Sequence, residues 1–137
     1  MLSSEDRFAI SELMARMAYC YDEGELDALE DCFCEDAVVS MRIAGGDIVG
    51  PFEGRDNVMG LYRNAKASQS DVRRHDITNL FFDTSDGAVA ATSYLTLFAT
   101  ENGETRLLTT GVYRDQLEQR DGHWKVRRRH IDLDNGY

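Results

Sequence analysis

Proline occurs once and cysteine three times in this 137-residue chain, and neither supplies a framework. A single proline excludes collagen-like and proline-rich classes. Cys20, Cys32 and Cys34 form an odd set without a C-x-x-C pair. With only three histidines in the chain, they point to buried free thiols rather than to disulfides or a zinc site. No apolar run approaches the ~20 residues of a membrane-spanning helix. The opening MLSSEDRF lacks the basic and apolar regions of an export signal, so the expectation is a cytoplasmic protein with no membrane partner. Basic residues are the scarcer charge, 15 against 25 acidic, for a formal net charge of -10. Such a chain is repelled by phosphate backbones, which argues against a nucleic-acid partner. There is no P-loop, dinucleotide-binding glycine fingerprint or serine elbow, so nucleotide, flavin and acyl-enzyme mechanisms lack support and no cofactor or metal is expected.

What is present describes one ordinary globular domain, residues 1–137. Hydrophobic residues make up 42% and charged residues 29%, and a mass of 15.5 kDa leaves no room for a second core. A folded domain of that mass exposes roughly 7,200 Å² and buries about two thirds of its unfolded surface. The excess acid lies in the first half, where residues 1–72 carry 15 acids and 6 bases.

Ser3 and Ser4 followed by Glu5 and Asp6 form a helix-start signature. Ile10, Leu13, Met14, Met17, Ala18 and Tyr21 then recur at spacings of three and four until Gly24. Leu26, Leu29 and Phe33 write a second short helix between Glu25 and Cys34. After Asp36 the period becomes two, with Val39, Met41 and Ile43 on one face, closed by Gly45, Gly46 and Asp47. Ile48 to Phe52 returns as a short strand whose Pro51 suits a sheet edge, and Arg55 to Ala67 is the third helix. Strands follow near Arg73 to Phe82, Ala88 to Ala99, Glu104 to Leu117 and His123 to Leu133. Ser85-Asp86-Gly87, Asn102-Gly103 and Asp121-Gly122 separate them, which marks an antiparallel meander. The class is α+β: three N-terminal helices covering one face of a curled antiparallel sheet, with a concave pocket between the layers. Leu13, Met17, Leu29, Phe33, Val39, Leu61 and Trp124 are the expected core. The uncovered face, carrying Leu95, Leu97 and Leu107 or their neighbours, predicts a homodimer.

Several strings resemble the SnoaL-like polyketide cyclase and scytalone dehydratase group within the nuclear transport factor two superfamily. They are Tyr21-Asp22-Glu23-Gly24-Glu25-Leu26-Asp27-Ala28-Leu29, Phe33-Cys34-Glu35-Asp36-Ala37, Gly54-Arg55, Arg74-His75, Thr78-Asn79, Gly111-Val112-Tyr113-Arg114-Asp115 and Arg120-Asp121-Gly122-His123-Trp124. The resemblance covers nearly the whole chain and implies a cone-shaped α+β fold enclosing a pocket. It also implies pairing through the outer face of the sheet, as in many relatives. The superfamily hosts dehydratases, isomerases, cyclases, dehydrochlorinases and non-catalytic proteins, so the fold alone does not name an activity.

In the dehydratase and dehydrochlorinase relatives an aspartate ending the first helix pairs with a histidine at the start of a strand, and Asp22 and His75 match those positions. A neutral imidazole can remove a proton near physiological pH, while a carboxylate fixes its tautomer and stabilises the imidazolium. The bland alternative is that Asp22 caps the interhelical turn and His75 is an ordinary strand residue. Tyr21 resembles a tyrosine that holds water or a substrate oxygen in scytalone dehydratase, and equally suits core packing. Where that enzyme has a second histidine, this chain has Tyr94, Leu95 and Thr96, a departure from the dehydratase pattern. Regular alternation puts His130 on the face of Trp124, Val126 and Arg128, where it either adds a polar group to the pocket or is a satisfied strand histidine. Met17, Met41, Met59, Tyr62, Tyr94 and Phe98 are candidates to line a cavity for a small hydrophobic ligand. Arg127, Arg128 and Arg129 suit either ion pairs with the acidic half or a substrate carboxylate. His123 reads as a surface turn residue. The expected function is a cofactor-independent lyase or isomerase on a small hydrophobic oxygenated substrate, with His75 as base and Asp22 orienting it. The alternatives are a ligand-binding module and a structural subunit like that of ring-hydroxylating dioxygenases.

Overall fold

The computed structural model describes residues 1–85 and 87–137. Helix α1 (Ser4–Glu23) begins in a reciprocal capping box, with Asp6 N donating to Ser3 Oγ at 3.0 Å and Ser3 N to an Asp6 carboxylate oxygen at 3.3 Å. The other Asp6 oxygen accepts from Trp124 Nε1 at 3.1 Å, which ties the helix start to the last strand. Gly24 ends the helix with φ of 76°, a left-handed conformation that glycine adopts without penalty. Helix α2 (Leu26–Glu30) follows, then strands β1 (Phe33–Ile43) and β2 (Ile48–Glu53), helix α3 (Arg55–Ala67), and strands β3 (Val72–Ser85), β4 (Ala88–Glu101), β5 (Glu104–Arg120) and β6 (His123–Leu133).

The six strands form one sheet in the order β2-β1-β6-β5-β4-β3. From β3 to β6 it is the expected antiparallel meander. Asn102-Gly103 and Asp121-Gly122 each have positive φ at both residues, as two-residue hairpin turns of type I′ require. The turn expected at Ser85-Asp86-Gly87 falls on residue 86, outside the described residues. The sheet is mixed rather than wholly antiparallel, because β1 runs parallel to β6. Phe33 also departs from expectation. It opens β1 opposite Val126, because α2 stops at Glu30.

Register shifts between Thr78 and Phe81, Leu97 and Phe98, and Gln116 and Leu117 break the ladders. Bulges of this kind raise local twist, and here they accompany the curl of the sheet around α1 and α3. Met17, Leu29, Phe33 and Val39 are fully buried, and Leu13, Leu61 and Trp124 pack partly buried against them. Cys20, Cys32 and Cys34 are free and buried. The chain exposes 7844 Å², somewhat above the size-based expectation. Part of that surface is apolar: Tyr94 and Leu107 stand 52% and 56% exposed on the uncovered sheet face. Among the described residues, no helix is long and apolar enough to cross a membrane, and no cluster of three or more histidine, cysteine, aspartate or glutamate side chains is placed to hold a metal.

Candidate active site

Asp22 lies in the last turn of α1, beside Glu23 and with no basic residue in that turn. A carboxylate there opposes the negative end of the helix dipole, so its placement needs another source of stabilisation. Strand β3 supplies it. As a sheet edge, β3 has backbone N–H groups with no neighbouring strand, and His75 N donates to Asp22 Oδ2 at 2.8 Å. The His75 ring adds a second bond, Nδ1 to Asp22 Oδ1 at 2.6 Å, with the side chains only 8% and 6% exposed. Lys66 Nζ donates to the Asp22 carbonyl at 2.6 Å, and Arg74 pairs with Glu23 at 2.9 Å, so cations surround this helix end.

A carboxylate accepts only, so the Nδ1 contact places a proton on Nδ1 and leaves Nε2 of the neutral imidazole with a free lone pair. With Nδ1 turned to Asp22, the edge bearing Nε2 is what His75 offers to the cavity it lines. That cavity, about 80 Å³, lies between α1, α3 and the inner face of the sheet. Its walls are Tyr21, Leu61, Tyr62 and Ala65 from the helices and Met41, Leu95, Leu97, Tyr113, Ile131 and Leu133 from the strands, with Tyr137 beyond β6. At about 30 Å³ per water, as in the liquid, it has room for roughly two or three waters. The Tyr21 ring lies 5.5 Å from the His75 ring, and its oxygen accepts from Gln69 Nε2 at 3.3 Å. Burial pushes the Tyr21 hydroxyl well above its usual pKa, so it stays protonated as a donor.

The structure thus brings His75, Tyr21, Met41 and Tyr62 to one cavity, with Asp22 bonded to His75 but outside the lining, and Met17 lines a small recess behind it. Met59 is buried in the core and is not part of the wall. Three further expectations are corrected. Tyr94 and Phe98 sit on the opposite face of β4, whose inward positions are Leu95 and Leu97. His130 also faces outward, because Leu117 pairs with Val126 and Gln116 with Arg128, making Arg127 an extra residue that reverses the alternation. His130 bonds Ser40 Oγ through Nδ1 at 2.7 Å and Asp132 through Nε2 at 3.1 Å, and Asp132 also takes Arg114. The trio has the residue types of a hydrolase relay. It lies on the outer face of strands paired on both sides, away from the cavity. His123 is exposed as expected.

Sequence reasoning missed a second polar pair. Arg129, turned inward by the same bulge, makes a two-pronged bond to Asp115, Nε to Oδ1 at 2.7 Å and a terminal nitrogen to Oδ2 at 3.0 Å. The two side chains are 5% and 0% exposed. Burial alone would lower the arginine pKa, but the Asp115 carboxylate holds it above the usual range, so the guanidinium is charged. It lies 3.9 Å from the Tyr113 ring centroid, with a face-on cation–π contact that fixes one cavity wall. The signal available was Asp115 at an inward position of an alternating strand; its partner was hidden by the bulge. Arg127 pairs with Asp36 at 3.2 Å, so the arginine run divides between the surface and this buried bond.

The sequence model of the SnoaL-like domain matches residues 3–130. No curated protein matches the chain. Among solved structures, a protein from Catenulispora acidiphila in complex with S-DNPA is 25% identical with a TM-score of 0.81, the match covering 96% of each chain. A protein from Novosphingobium aromaticivorans assigned as an aromatic ring hydroxylase is 25% identical over 97% of this chain and 92% of its own, with a TM-score of 0.80. An NTF2-like protein with a cystatin-like fold from the same organism is 22% identical over 97% and 84%, with a TM-score of 0.80.

Proposed function

The chain belongs to the SnoaL-like domain family, and from that premise we propose that it is a cofactor-independent lyase or isomerase acting on a small, mostly hydrophobic, oxygenated molecule. The observation that carries this reading is the 2.6 Å bond from His75 Nδ1 to Asp22 at the wall of a cavity lined mainly by aliphatic and tyrosine side chains. In the step proposed, His75 Nε2 takes a proton from a carbon next to a carbonyl. The C–H electrons form a carbon–carbon double bond while the carbonyl π electrons move to oxygen, giving an enolate and an imidazolium that Asp22 stabilises. Return of the proton to another carbon is isomerisation. Collapse of the enolate with loss of a β-hydroxyl is dehydration; in this reading Tyr21 protonates the departing oxygen as water and regains its proton from the His75 imidazolium, which returns both groups to their starting forms.

The test is a panel of single-ring β-hydroxy ketones and β,γ-unsaturated ketones incubated in D₂O and followed by proton NMR. Water loss, double-bond migration or deuterium uptake that disappears in His75→Ala supports the proposal. Binding of the panel with no His75-dependent change would replace it with a ligand-binding module. The relative solved with S-DNPA bears on both readings, since it carries a small molecule on this fold.

A structural-subunit role rests on a different observation, the exposed Tyr94 and Leu107 on the uncovered sheet face, together with the likeness to an assigned ring hydroxylase. We favour a second copy of this chain as the occupant of that face, because the cavity and the Asp22–His75 bond lie on the other side of the sheet and need no partner to form.

A further inference from the structure

Tyr21, Tyr62, His75 and Tyr113 line both the main cavity and the recess of about 10 Å³ behind it, so these four rings form the neck between the two spaces. Tyr62 differs from its neighbours. It is 7% exposed, and its buried hydroxyl makes no hydrogen bond of good geometry among the described residues; Arg129, which faces it, can only donate, so the O–H is left without an acceptor. A buried hydroxyl is normally paired, and the exceptions call for an explanation. The atom is not free to seek a partner elsewhere. Its ring is held edge-on by Tyr21 at 5.0 Å and tilted against Phe33 at 5.7 Å. Burial raises the Tyr62 pKa, and Arg129 opposes that rise both by its charge and as a hydrogen-bond donor toward the hydroxyl oxygen, so the group is a neutral hydroxyl whose O–H is polarised by a nearby cation. Arg129 is itself anchored by Asp115 and does not need Tyr62 as a partner.

We infer that the Tyr62 hydroxyl is the donor that seats an acceptor oxygen of the ligand in the neck beside His75. The ligands selected are then compact rings bearing a carbonyl or similar oxygen, in preference to hydrocarbons of the same shape. This rests on the proposed binding cavity but not on its chemistry. In the proton abstraction it assigns Tyr62 to the oxygen that becomes negative and leaves Tyr21 for the departing group. Discrimination follows from pairing: an oxygen that accepts from Tyr62 relieves an unsatisfied group, whereas a methylene leaves it unsatisfied.

The probes are acetophenone and ethylbenzene, which differ by a carbonyl in place of a methylene. Their dissociation constants are measured by calorimetry for the wild type, Tyr62→Phe and His75→Ala, and the carbonyl stretch of bound acetophenone by infrared difference spectroscopy. The expected result is a preference for acetophenone over ethylbenzene that falls about tenfold or more in Tyr62→Phe, roughly 1.4 kcal/mol by the affinity relation. The bound carbonyl stretch should lie lower in the wild type than in that variant. Tyr62→Phe should melt at the wild-type temperature or above, since it removes an unpartnered group. An unchanged preference, an unchanged stretch, failure of either probe to bind at millimolar concentration, or a melting temperature several degrees lower in Tyr62→Phe would each overturn the inference. His75→Ala separates this from the enzymatic reading. If the preference persists there while no His75-dependent deuterium enters the acetophenone methyl group in any form of the protein, the seat stands and the chemistry fails. If that deuterium uptake occurs but the preference ignores Tyr62, the chemistry stands and the seat fails.

Discussion

The Asp22 carboxylate binds His75 twice, accepting from its backbone N–H at 2.8 Å and from its ring Nδ1 at 2.6 Å. One bond joins helix to sheet edge, and the other sets the tautomer of the base. An asparagine at this position has one accepting oxygen and one donating nitrogen, so it cannot accept from both groups. If its oxygen keeps the backbone N–H, its amide faces Nδ1 and favours the tautomer protonated on Nε2, which cannot take a proton from substrate. Nitrogen-15 NMR should therefore show His75 protonated on Nδ1 in the neutral wild type and on Nε2 in Asp22→Asn. Turnover of any His75-dependent substrate should fall roughly 100- to 10,000-fold, the range for a positioned proton transfer. The wild-type tautomer in Asp22→Asn would refute the account.

What was legible in the sequence was local. The α1 capping box, the two type I′ turns and the alternation of β4 follow from residues within a few positions of one another. The direction of β1 against β6 is not written in periodicity, because nothing in an alternating strand specifies the direction of a neighbour that far along the chain. The Arg127 bulge hid the most: one extra residue placed Arg129 rather than His130 inside. Tyr94 and Phe98 failed for a simpler reason, since alternation separates the two faces of β4 without saying which is inner. Asp22 and His75 were located by resemblance, and the geometry that joins them depends on β3 being an edge.

The Arg129–Asp115 pair yields a prediction about stability. Asp115→Ala leaves a buried guanidinium without its carboxylate and should cost about 3–5 kcal/mol in urea unfolding. The double variant Asp115→Leu/Arg129→Met removes both charges and should lose less than Asp115→Ala alone. Additive losses in the double variant would show that the two side chains are not coupled.

Cys32 offers an alkaline signature. Burial pushes its thiol up to about 11, and Sγ lies 3.4 Å from the Ala28 carbonyl, which accepts from the protonated form. The unfolded thiol titrates near about 8.5. Below that pH both states hold the proton and the contribution is fully present. As pH rises toward 11 the unfolded chain releases its proton while the folded one keeps it, so stability declines across that window. Denaturant midpoints measured between pH 8 and 11 should fall more steeply for the wild type than for Cys32→Ala. Parallel curves would place the alkaline sensitivity elsewhere.

The uncovered sheet face is the remaining test, and its geometry names the residues. Phe98 pairs directly with Leu107 across β4 and β5, and Tyr94 pairs with Val112, so these side chains share one apolar strip. Leu95 and Leu97, once candidates for that face, point into the core. A homodimer through the strip should sediment as such at tens of micromolar, a concentration that populates complexes with dissociation constants in the low micromolar range. Leu107→Glu puts a charge in the middle of the strip and should give a folded monomer with the cavity intact. Each copy also brings a net charge of -10, so association opposes a long-range repulsion. The dimer should therefore tighten between about 0.01 and 0.15 M salt, as the screening length shrinks from about 30 to about 8 Å. A wild-type monomer under both conditions sinks the proposal. A dimer that survives Leu107→Glu moves the interface to another surface.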